Sequence, residues 1–205
     1  TGLAGWEFSI EGYYKQMRHI LEYQDGVSFF GTSTNWEEKV EMGEGRSLGL
    51  EMMVQKTLGK TTGWLAYTLA KTDHRFKDGA ISQGKWFPYK YDRRHTISLC
   101  LNHKFSERID VGASWIFNTG GCITVPERET IIIRPEGNIE SAPYISRRNN
   151  YRLPASHRLN LGINFNKKTK HGMRTWNISL YNAYNAMNPN LVYSKWEQGY
   201  NLIYN

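Results

Sequence analysis

Apolar and polar residues alternate with a period of two along most of this chain, in runs of about ten residues. Trp6, Phe8 and Ile10 alternate with Glu7, Ser9 and Glu11, and Leu48, Leu50, Met52 and Val54 with Ser47, Gly49, Glu51, Met53 and Gln55. The pattern recurs at Leu65/Tyr67/Leu69, Ile97/Leu99/Leu101, Val111/Ala113/Trp115/Phe117, Leu159/Leu161/Ile163/Phe165 and Trp176/Ile178/Leu180. Successive strand side chains point to opposite faces, so each run predicts a β-strand with one greasy and one polar face. Seven strands are predicted, with no amphipathic helix of comparable strength.

The polar faces carry Ser, Thr, Asn and Gly with scattered charge, whereas a soluble sandwich exposes richly charged faces. The greasy faces are aromatic at their ends and free of charge in mid-strand. That is the alternation of a barrel with lipid outside and a polar lumen inside. The competing reading is an antiparallel sheet covered by something outside this chain. Connection lengths add weight to the barrel. Short turns are expected at 57–62, 106–108 and 166–172, and long loops at 17–45, 72–93, 119–153 and beyond Asn185. Turns at one end and loops at the other are the layout of outer-membrane barrels. The six prolines fall in the loops or at strand starts, where none should interrupt a ladder.

Composition agrees. Aromatic residues make up 14% of the 205 residues, too many for a disordered chain. The longest charge-free run, Val111 to Pro126, is too short and too broken for a membrane-spanning helix. No signal peptide opens the chain, which predicts a mature or excised segment. The net charge of +7 first suggests nucleic acid. Its placement argues otherwise. The expected turns and their flanks hold Lys56, Lys60, Lys104, Arg108, Lys167, Lys168, Lys170 and Arg174 against Glu107. The excess therefore lies at one rim, suited to anionic headgroups, and no nucleic-acid-binding motif accompanies it.

Three stretches carry a family resemblance: Gly84-Lys-Trp-Phe-Pro-Tyr-Lys-Tyr-Asp-Arg-Arg-His95, the run from Asn150 to Ile163, and Trp176-Asn-Ile-Ser-Leu-Tyr-Asn-Ala-Tyr-Asn185. With Gly45-Arg-Ser-Leu-Gly-Leu-Glu51, they resemble the C-terminal barrel of TonB-dependent outer-membrane receptors of the Bacteroides type. The resemblance implies that residues 1–205 are an all-β, antiparallel transmembrane barrel segment, about seven strands of a 22-stranded barrel. The plug domain, the TonB box and the final strand are expected to lie outside this chain. The implied function is uptake of a scarce nutrient (metal chelate, cobalamin or glycan) energised through TonB, with no catalysis and no cofactor. Implied partners are the rest of the receptor, the TonB complex through the plug, outer-membrane lipid and a surface lipoprotein. A passive porin or adhesin barrel is the alternative.

Candidate chemistry is concentrated in two loops. Trp86, Tyr89, Tyr91, Arg93 and Arg94 share one, and Arg147, Arg148 and Tyr151 the other. Aromatic faces stack on sugar rings or aromatic chelators, and arginine forks hold carboxylates. The same residues also suit an interfacial belt against lipopolysaccharide phosphates. No metal site is expected. Cys100 and Cys122 fall roughly 30 Å apart along the predicted hairpin, beyond disulfide reach. Ser156 and His157 are adjacent and so point to opposite faces, which argues against a hydrolase pair. His95 and His157 are read as interface anchors.

Overall fold

The computed structural model describes residues 4–25, 36–79, 81–133, 135–189, 192–196 and 200–204. The loop expected near residue 30 lies outside them. In chain order the strands are β1 (Trp6–Tyr23), β2 (Val40–Lys56), β3 (Thr61–Arg75), β4 (Phe87–Pro88), β5 (His95–Lys104), β6 (Ile109–Asn118), β7 (Cys122–Ile123), β8 (Arg128–Ile133), β9 (Ile139–Tyr144), β10 (Tyr151–Arg152), β11 (Ser156–Thr169), β12 (Gly172–Leu180), β13 (Val192–Trp196) and β14 (Tyr200–Tyr204). The seven predicted strands form one antiparallel sheet in the order β1-β2-β3-β5-β6-β11-β12, and β4 adds to β3 as an eighth. The sheet does not close; β1 and β12 are its two edges.

Among the seven main strands, neighbours in the sheet follow one another along the chain, β4 and β7 to β10 lying in the connections, so the chain runs up and down. The hairpin turns at 57–60, 105–108 and 170–171 therefore lie at one end and the long connections at the other. Backbone bonds from Lys104 to Lys60 (2.8 Å) and from Asn166 to Arg108 (2.7 Å) join the turns into one rim. The basic residues counted above cluster on it.

Register explains the faces. One row, Phe8–Val54–Leu65–Leu99–Trp115–Leu159, crosses six strands, and a second runs Ile10–Met52–Tyr67–Ile97–Phe117–His157. These rows and their neighbours make one outward apolar surface, exposed at Ile10, Leu48, Leu65, Leu101 and Leu161. The opposite face is a polar ladder. Asn160 bonds Ser114, Asn164 and Asn166 bond Asp110, and Ser47 meets Thr72. The apolar rows do not converge on a core. The accessible surface is 14746 Å2, against about 9,900 Å2 for a compact monomer of this mass. Among the described residues, no side chain of these two rows is buried.

Several sequence expectations need correction. The loop expected at 17–45 is only 24–39, because β1 continues through Tyr23 and β2 begins at Val40. Two features hid this. Beyond Leu48 the outward positions become ionic, and a bulge at His19 (φ 58°) resets the phase of β1. After it Ile20 faces Gly43 instead of continuing the outward row. The turn expected at 166–172 shrinks to two residues, and the 119–153 connection contains β7 to β10. Two prolines sit in ladders, Pro88 opposite Asp73 and Pro143 opposite Glu129. Both strands have a free edge, where a missing N–H costs nothing to the ladder.

Packing is confined to the loop end. Among the described residues the buried apolar side chains are Phe76, Ile81, Phe87 and Cys122, with Ile20 against the first three. This cluster lies on the inner face over β2, where glycines make room for it. A Cβ at Gly43 would come within 2.5 Å of the Phe76 ring.

Candidate functional site

The two candidate loops are brought together at that end. Asn149 donates from Nδ2 to the Pro88 carbonyl (2.8 Å), the Arg148 amide to Ser82 Oγ (2.9 Å), and the Cys122 amide to the Lys90 carbonyl (2.9 Å). At the centre is Asp92, 3% exposed. Its carboxylate accepts the Thr72 amide (2.7 Å), Arg152 Nη2 (2.5 Å) and Arg94 Nη2 (3.4 Å). Arg152 also donates from Nη1 to the carbonyls of Asp92 (2.5 Å) and Gly120 (2.8 Å). One buried acid thus ties both loops to the top of β3. Arg152 belongs to the arginine-rich loop that the sequence marks, whereas Asp92 carries no role in the sequence reading. The only signal was an acid embedded in the Tyr91-Asp-Arg-Arg94 run.

The eight candidate residues divide. Arg148 is used internally: Nε donates to Asp25 (2.8 Å), Nη2 to the Tyr23 carbonyl (2.8 Å), and Nη1 lies 3.6 Å from Glu22. Arg94 is held by Asp92. Trp86 is on the outer side of the sheet, its ring 4.3 Å from the Arg46 guanidinium carbon and 4.8 Å from that of Arg75. Tyr151 is half-buried in β10, paired with Ile123 of β7. Tyr89 stacks on His74 with ring centres 4.4 Å apart, and Tyr91 meets Tyr89 edge-on. Tyr91, Arg93 and Arg147 are turned to solvent. A ligand arriving at the loops therefore meets the Tyr91 ring, with Lys90 Nζ 4.9 Å from its centre, and the exposed guanidinium groups of Arg93 and Arg147.

The other sequence candidates also find places. Ser156 pairs with Asn118 and His157 with Phe117, on opposite faces. His157 Nδ1 meets the Tyr184 hydroxyl at 2.8 Å, and Trp115 Nε1 donates to the same oxygen (2.9 Å). His95 meets the Tyr67 hydroxyl (2.8 Å). Both histidines lie on the outward face, at the loop-side margin of the apolar rows. Glu127 anchors the β8–β9 hairpin through Ser146 Oγ and Asn150 Nδ2, and these bonds hold its carboxyl below the usual range.

Both cysteines are free. Cys100 is half-buried on the inner face, while Cys122 is buried in the loop packing and burial pushes its thiol up. Iodoacetamide is expected to modify Cys100 at least roughly tenfold faster, since the thiolate is the nucleophile and access limits the rest. Equal rates, read by mass spectrometry of tryptic peptides, would mean the loops are not packed as described.

Neither known family models nor curated proteins yield a match to this chain. The chain defines a class: an open, up-and-down antiparallel sheet with an exposed apolar face, a polar face and a packed loop cap.

Proposed function

We propose that this chain is part of a transmembrane β-barrel of the Gram-negative outer membrane, in a receptor that takes up a scarce nutrient with energy delivered through TonB. The observation that carries the membrane half of this reading is the outward apolar surface and its borders. On β2 it runs between Arg46 and Lys56, on β11 between His157 and Lys167. Ten residues rise about 33 Å, which at a tilt of roughly 40° crosses about 25 Å of hydrocarbon. Aromatic and histidine side chains at the loop-side margin suit the headgroup level. The polar ladder on the other face suits a wet lumen.

The receptor half rests on the family resemblance and on the loops. Long connections packed against the inner face stand where a ligand would enter. Tyr91, Arg93 and Arg147 are the contacts they offer to an anionic or sugar-bearing cargo. Arg93→Ala with Arg147→Ala is expected to weaken uptake of an anionic cargo by about tenfold per contact, with the loops still packed. Arg148→Ala should instead loosen the loops, because Asp25 and Glu22 lose their cation. Equal consequences from both variants in a proteolysis assay would remove the ligand role.

The deciding experiment deletes the gene and measures uptake of iron chelates, cobalamin and oligosaccharides, with and without a protonophore. Loss of one cargo, together with protonophore sensitivity in the wild type, supports the receptor. Protonophore-insensitive uptake would point to the passive porin. No change across the panel, with the protein still in the outer membrane, would point to an adhesin.

A further inference from the structure

We infer that the outward face just beyond the apolar surface, at the loop end, holds a site for a phosphate-bearing lipid headgroup. This rests on the membrane reading above. Three cross-strand rows build it: Tyr14–Leu48–Lys71, then Gln16–Arg46–Asp73, then Arg18–Glu44–Arg75. Lys77 follows Arg75 and reaches Glu44 at 3.5 Å. Register puts all of these on the same face as Leu50 and Leu69, so the cations begin one row above the last apolar pair. The bulge at His19 shifts the β1–β2 register there. A cleft of about 420 Å3 lies beside it, lined by Arg18, His19, Met42, Arg75, Lys77 and Asp78 among others.

The charge is in surplus and held in place. Among the described residues, the acids on this patch are Glu44, Asp73 and Asp78, against Arg18, Arg46, Lys71, Arg75 and Lys77. Asp73 is shared by Arg46 (3.1 Å) and Lys71 (3.4 Å), and Glu44 by Arg75 (2.5 Å) and Lys77. Each of these two acids therefore leaves one positive charge over. The Trp86 ring lies against both guanidinium groups and restricts their rotation, so the forks are set before a ligand arrives. Guanidinium forks match phosphate oxygens, and tryptophan suits the boundary between acyl chain and water. The height selects the source. Acyl chains lying on Leu48, Leu50 and Leu69 bring their own phosphates to this level, whereas a soluble anion uses the forks but none of the apolar surface.

The test uses the complete gene product purified in detergent micelles, with sheet content read by circular dichroism. Binding of bis-phosphorylated lipid A is compared with fully dephosphorylated lipid A and with inorganic phosphate, by native mass spectrometry and by competition. Two variants are made: Arg75→Gln with Lys77→Gln, and Arg18→Glu, whose exposed side chain takes no part in the Glu44 ion pairs, and the sheet content of both is read in the same way. Preferential retention of the phosphorylated lipid, weakened roughly tenfold or more in either variant, with inorganic phosphate failing to compete, is the expected result. Equal retention of the two lipids, or equal binding by wild type and Arg18→Glu, would overturn the inference while leaving the barrel reading standing. Competition by equimolar inorganic phosphate would overturn the lipid assignment. A protein without sheet structure in micelles would bring down the membrane reading and this site with it.

Discussion

Arginine in place of Leu99 or Leu161 is expected to keep the protein out of a bilayer. Each position lies four residues from the loop-side histidine of its strand, His95 or His157, near the middle of the apolar surface. A guanidinium there faces hydrocarbon, at a cost of about 2–4 kcal/mol for a midplane cation on a lipid-facing strand. The matched controls are Ser98→Arg and Ser114→Arg, one residue away on Leu99's own strand or beside it on β6. Their side chains point to the polar face, so they should change insertion little. Folding into phospholipid vesicles, titrated with urea, measures the difference. The membrane reading does not survive if Ser114→Arg proves as damaging as Leu99→Arg. A soluble protein with a hidden cover for the same face would also lose stability at Leu99, but it would remain monodisperse without detergent.

The second large effect is expected from Asp92→Ala. The substitution orphans the Thr72 amide and removes the shared anion from Arg94 and Arg152. Leaving a buried charge network broken costs about 3–5 kcal/mol. Here both guanidinium groups keep about a third of their side-chain exposure, so water takes over part of the role. We expect about 2–3 kcal/mol, felt by the loop cap and not by the membrane-facing rows. Limited proteolysis should cut within 119–153 far sooner in the variant, while vesicle insertion stays at the wild-type level. If insertion fails equally, the cap is part of the sheet's own stability and the separation drawn above is wrong.

The contrast between these two sites also explains what the sequence could reveal. Period-two alternation is a strong signal wherever one face meets a uniform environment, so all seven main strands are legible from residues such as Leu99 and Leu161. It fades where the environment changes along a single strand. Outward positions Glu44 and Arg75 look like loop residues when read for greasiness, and the extra residue at His19 shifts the phase, so alternation alone leaves the loop-side ends of β1, β2 and β3 looking like loop. The candidate site was legible as a composition, aromatic residues beside arginines in two loops. Partner choice was not. Nothing local distinguishes Arg148, consumed by Asp25 some 123 residues away, from its exposed neighbour Arg147. Asp92 could not be singled out because its importance comes from burial, which only the packing of distant segments creates.

That same remoteness sets an order of events. The β2–β3, β5–β6 and β11–β12 hairpins join residues close in sequence and lose little chain entropy on closing. The bonds that seal the loop end span far more chain: 60 residues from Asp92 to Arg152 and 123 from Asp25 to Arg148. The cost of closing a loop grows with its length, and contacts between distant residues form late unless nearer ones have already shortened the path. Paired strands do that shortening, because the short turns bring the far ends of β3, β6 and β11 into one sheet. Asp92 then meets Arg152 across an assembled surface instead of a free coil. The cap is accordingly the last part to acquire its structure and the first to lose it, and its opening rate should be measurable by amide exchange at Thr72 well before the hairpins exchange.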